Sequence, residues 1–243
     1  MNDIAGGHTI KGFDQDLMNL HSMVMEMGGI VEDQLARAIR ALDDEDPGAA
    51  REVIARDRLV NDMDVRIDEE LVTTIARRQP VARDLRNLMT MNKTVSDLER
   101  IGDEARKLAS LVEEIYGSPA ASPPNSGLVH DVRGIAVYGK SMLDNVLVAF
   151  NTMDVKKAVE VIHQDERIEE KFRAALRRLA TYVLEDSRTV GYSIDAVLAL
   201  RALERIGGHA KNISGYVIYL STGRDVRHVE LSTILDEVLK ELD

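Results

Sequence analysis

Leu-Glu-Arg-Ile-Gly occurs twice in this chain, at Leu98–Gly102 and at Leu203–Gly207. The two copies lie in longer related runs, Asp97–Ala109 and Ala202–Ser214. A repeated block holding two charges and a glycine is not expected by accident, and a duplication constrains the architecture before any single element is assigned. The rest of the chain follows the same register. Adding 108 pairs Asp46 with Asp154, Glu52 with Glu160, Val53 with Val161, Ile54 with Ile162 and Asp57 with Asp165. Adding 105 pairs Glu99 with Glu204. A three-residue difference in the second turn of each half reconciles the two offsets.

Helical periodicity fills the repeat. Leu17, Leu20, Val24, Met27, Val31, Leu35, Ile39 and Leu42 step by three and four, which places them on one face of a helix over 14–42. Asp46-Pro47 has the form of an N-cap followed by proline at the first helical position. It opens a second helix, ended by the Gln79-Pro80 turn. A third runs to Tyr116 with Leu98, Ile101, Ala105, Leu108, Val112 and Ile115 inward. Helices over 128–153, 154–186 and 190–220 repeat the set. The expected fold is all-α: two tandem antiparallel three-helix bundles, related by duplication, over 13–117 and 128–223. A glycine-bearing arm over 1–12, a Gly/Ser/Pro-rich linker over 118–127 and a short amphipathic helix within 224–243 complete the organisation.

Composition narrows the function. The chain has no Cys and no Trp, so its core is aliphatic, and disulfide, thiolate-metal and thiol redox chemistry are excluded. A net charge of −11 opposes nucleic acid and anionic lipid. No apolar run reaches the ~20 residues that span a bilayer. The start has no apolar signal-peptide core, so a cytoplasmic location is expected. Phosphate loops, dinucleotide fingerprints and nucleophile motifs are missing, which argues against an enzyme.

Acidic side chains carry the strongest site signal. Glu99 and Asp103 are four apart on the third helix. Asp57, Asn61, Asp64 and Asp68 are spaced by four, three and four on the second, which runs antiparallel to it. Two acidic stripes facing one groove repel, and a multivalent cation relieves that cost. All donors are oxygens, suited to Mg, Ca, Mn or Fe rather than a closed Zn site. In the second half Asp165, Glu169 and Glu204 line the equivalent groove, but Gly208 stands where Asp103 stands in the first. His209 is rotated about 100° from that position; it either substitutes as a ligand or is a surface histidine, and the surface reading is favoured. Glu160 and His163 form one Glu-x-x-His pair, where di-iron bundles need two. Arg77, Arg78, Arg83 and Arg86 gather at the turn between the second and third helices, with Arg173, Arg177 and Arg178 near the equivalent end of the second half. They either complement helix C-termini or meet an acidic partner or phosphate.

The duplicated bundle with Leu-Glu-Arg-Ile-Gly near each third helix, Arg-Gln-Pro-Val-Ala-Arg-Asp-Leu-Arg at Arg78–Arg86 and Asp-Val-Arg-His at Asp225–His228 resembles the PhoU family. The resemblance implies a non-enzymatic, homodimeric negative regulator of the phosphate-starvation response. Its implied partners are the ATPase subunit of the phosphate ABC transporter (PstB-like) and a sensor histidine kinase (PhoR-like). It also implies metal binding at Glu99 and Asp103, and in part at Glu204, with Fe, Mn, Mg or Zn as the ion. A metal-storage or di-iron bundle and a plain oligomeric adaptor are the alternatives.

Overall fold

The computed structural model describes residues 11–117, 126–185 and 190–226, and among these there are six helices. They are α1 (Lys11–Asp43), α2 (Pro47–Arg78), α3 (Ala82–Tyr116), α4 (Ser126–Thr152), α5 (Val155–Glu185) and α6 (Val190–Thr222). The expected arm over 1–12 except its last two residues, nearly all of the 118–127 linker and the helix expected over 230–242 lie outside the described residues. α1, α2 and α3 pack on one another, and α4, α5 and α6 do the same. Among the described residues there is no strand, and no helix is long and apolar enough to cross a membrane.

Local chemistry sets the helix ends. The Asp46 carboxylate accepts hydrogen bonds from the Gly48 and Ala49 amides, at 2.7 and 3.1 Å, and Pro47 needs no partner at the first position. Its counterpart Asp154 accepts from the Lys157 amide at 3.0 Å. Gln79, in the left-handed region at φ 49°, closes α2 by donating its N–H to the Ile75 carbonyl.

The repeat owes its form to a helix crossing. Leu98, Ile101, Leu203 and Ile206 are fully buried. A Cβ on Gly102 would stand 3.1 Å from Val60 Cγ1, and one on Gly207 would stand 2.9 Å from Ile168 Cδ1. Val60 and Ile168 differ by 108 and the glycines by 105, so both offsets meet at the same crossing. A side chain there would have to push Val60 or Ile168 aside, because α2 and α3, like α5 and α6, approach closely at these glycines.

The halves join along two antiparallel seams, α1 with α4 and α3 with α6. On the first, the His21 ring stacks on the fully buried Phe150, with centroids 5.3 Å apart. Arg133 pairs with the Asp43 carboxylate at 2.8 Å. On the second, Arg86 lies over the Tyr219 ring and Arg205 pairs with Glu104 at 3.1 Å.

Candidate functional site

The first-half groove forms where α2 crosses α3. Asp57 faces inward and is buried, so its charge needs compensation. Gln34 of α1 donates to one oxygen at 2.9 Å and the Arg106 guanidinium meets the other at 3.1 Å. Arg106 also holds Asp103 at 3.1 Å. Gln34 donates in addition to the Gly102 carbonyl at 3.2 Å, tying α1 to the crossing. Burial, followed by the negative charges of Asp103, Asp64 and Asp57, pushes the Glu99 carboxyl above its ordinary range. Burial and then Asp68 do the same to Asp64. Of these carboxylates, Asp57 and Asp103 are joined directly, through Arg106. Asp68 accepts a hydrogen bond from Asn92, and Asn61 is exposed.

The second half repeats the pairing with a different cation. Lys211 meets Asp165 at 2.9 Å, and both residues stand in register with Arg106 and Asp57. Glu169 is taken by Arg173 and Glu204 by Arg201. Thus five of the eight expected ligands, Asp57, Asp103, Asp165, Glu169 and Glu204, already hold a basic side chain. Among the described residues no three His, Cys, Asp or Glu side chains stand close enough together to hold a metal ion. The groove's built-in cations are Arg106 and Lys211. Glu99 and Asp64 hold no basic side chain among the described residues, and burial is the main cause that pushes both carboxyls above their ordinary range.

His209 departs from the surface position expected of it. Its Nδ1 lies 2.7 Å from the buried Asp97, which also accepts from Asn212 at 3.2 Å. The antiparallel docking of α6 on α3 turns this face inward. Glu104 is buried on the same seam, held by Lys107 at 2.9 Å and by Arg205. Periodicity within one helix cannot show such a seam, because its partners are more than a hundred residues apart. The sequence reading missed Arg106 and Gln34; the i,i+3 spacing of Arg106 from Asp103 is the one signal that points to either.

The arginine cluster divides. Arg77 and Arg78 both pair with Asp16 of α1, and Arg78 also donates to the Gly12 carbonyl. They hold the start of α1 against the end of α2. Arg86 covers Tyr219. Arg83 is exposed and has no ion pair or hydrogen bond among the described residues. In the other half Arg178 pairs with Asp131.

Both three-helix units match the family model described as PhoU domain, over residues 24–112 and 132–217. This chain belongs to the PhoU family. Its relatives include the phosphate-specific transport system accessory protein PhoU homolog of Pseudomonas aeruginosa. The two are 42% identical over 231 residues, which cover 95% of this chain and 94% of that protein. The accessory protein PhoU of Escherichia coli is 38% identical, covering 91% and 90%. The crystal structure of Pseudomonas aeruginosa PhoU superposes with a TM-score of 0.83 at 40% identity, over 87% of this chain and all of that one. The phosphate transport system regulatory protein PhoU from Streptococcus pneumoniae gives 0.78 at 25% identity, over 88% and 99%. The family's two-fold repeat is the one that the Gly102 and Gly207 crossings display.

Proposed function

We propose that this chain is a non-enzymatic regulator of phosphate uptake. It represses the phosphate-starvation response by bridging the ATPase subunit of the phosphate transporter and a sensor histidine kinase. One observation carries this reading: relatives named as accessory proteins of phosphate-specific transport match nearly the whole chain, at up to 42% identity. The ion-paired grooves accord with it, since their charged groups are spent on holding helices together. The protein acts in the cytoplasm, where both partners present their soluble faces, and works as a homodimer. We further propose that the first-half groove takes a divalent or trivalent cation. Glu99 and Asp64, which hold no basic side chain among the described residues, would supply oxygens. Water or a partner's donors would complete the shell, since no three acidic or histidine side chains among the described residues converge on one point.

The test is a phosphate-starvation reporter in a strain lacking its own family member. Wild-type protein is expected to restore repression in phosphate-rich medium. Glu99→Ala/Asp103→Ala, checked for folding, is expected to lose stoichiometric Fe, Mn, Mg or Zn and to weaken repression. Reporter output that stays high with folded wild-type protein would remove the regulatory reading. Wild-type repression by the double variant would remove the metal from it.

A further inference from the structure

An apolar stripe is left uncovered at the start of α3. Val81, Leu85 and Met89 succeed one another at intervals of four and are 73, 38 and 46% exposed. The Asn92 to Asp68 hydrogen bond sets the register of α2 on α3 and brings Val72, also exposed, level with Met89. Single exposed aliphatic residues need no explanation, but a file of them along one helix does. Duplication sharpens the point. Adding 105 to Leu85 and Met89 gives Val190 and Ile194, which are 43 and 56% exposed on α6. Both halves leave the same turns of their third helix uncovered.

Charge says what fits the α3 stripe. The protein carries a net charge of −11, yet this end is edged by Arg77, Arg83 and Arg86. Arg77 is spread over Asp16 and Arg86 over Tyr219, whereas Arg83 is uncommitted among the described residues. Val81 is the N-cap of α3 and makes no side-chain cap hydrogen bond, and Asp84 in the first turn offsets part of the positive helix end. The α6 stripe runs past Asp195, and Arg188, the counterpart of Arg83, lies outside the described residues.

We propose that Val81, Leu85 and Met89, edged by Arg83 and Arg86, form a docking face for an acidic-edged amphipathic helix of a partner protein. The apolar file of that helix lies along the stripe, and its carboxylates meet the arginines. This deepens the reading of the chain as a bridging regulator and rests on it. The assay below needs no phosphate signalling, so the two can fail separately.

The probe is a fluorescent synthetic helical peptide with a leucine face edged by glutamates, and its twin edged by lysines. Full-length protein is expected to bind the glutamate peptide saturably and at least ~10-fold more tightly than the lysine peptide, about 1.4 kcal/mol. Leu85→Glu/Met89→Glu is expected to abolish binding, and the uncharged Leu85→Gln/Met89→Gln to weaken it ~10-fold with the fold intact by circular dichroism. Arg83→Glu is expected to erase the preference between peptides. Equal binding of both peptides, or no effect of the stripe variants, would overturn the proposal. So would a fall in molar mass in the stripe variants, which would make the face a self-association surface. Binding to phosphatidylglycerol vesicles in place of the peptide would assign it to membrane and equally overturn it.

Discussion

Phe150→Ala is expected to cost about 3–5 kcal/mol in urea unfolding. Phe150 is fully buried on α4, and the only ring it stacks on among the described residues is that of His21, from the other half. Removing it leaves a cavity at the seam that neither helix can close without moving, because Gly28 already sits close beneath Leu147 on the same pair. His21 adds to the cost. Burial holds its imidazole below the usual value, so it packs as the neutral ring, with Nε2 3.2 Å from the Asn151 side-chain oxygen. A ring whose folded-state pKa is depressed contributes fully above about 6.5, and that contribution declines as pH falls below it. Phe150→Leu, which keeps most of the volume, is expected to cost less than half as much.

Gly102→Leu is the second large effect, about 3 kcal/mol or more. The new side chain would meet Val60, a β-branched residue locked in the core, and would pry α2 from α3 at the point where Gln34 bonds the Gly102 carbonyl. Gly208 supplies the contrast. It occupies the position after Gly207, where an added Cβ meets nothing. Gly208→Ala is expected to stabilise the protein by up to about 1 kcal/mol through helix propensity alone. Thermal melts of the two variants side by side would separate a crossing glycine from a glycine that merely interrupts a helix. Equal shifts in both would contradict the crossing geometry.

The crossing glycines, Gly102 and Gly207, show how far the sequence carries. The offsets of 108 and 105 were legible, and they converge on Val60 over Gly102 and Ile168 over Gly207 as the duplication requires. The capping aspartates and the inward stripes of α1 and α3 were legible for the same reason: they are local and periodic. The acidic groove was legible as far as Asp57 and Asp103, which share one cation. Its occupants were not, because Arg106 and Lys211 reach across a helix pair to Asp57 and Asp165. The α3–α6 seam was hidden altogether. Asp97, Glu104 and His209 each look like surface residues until antiparallel docking of the two halves buries them or turns them inward.

The uncovered stripe on α3 and its counterpart on α6 lie at opposite ends of an antiparallel pair, since Arg86 meets Tyr219 and Glu104 meets Arg205. A molecule with distinct surfaces at its two ends is suited to holding two partners apart and together at once. Bridging is therefore the claim on which the functional account stands. The most direct test mixes purified full-length protein with the phosphate-transporter ATPase subunit and the cytoplasmic part of the sensor kinase, and reads molar mass by size-exclusion chromatography with light scattering. The account predicts one particle whose mass includes all three proteins. Mutually exclusive binding, with each partner displacing the other, would contradict it, as would a chain that binds neither.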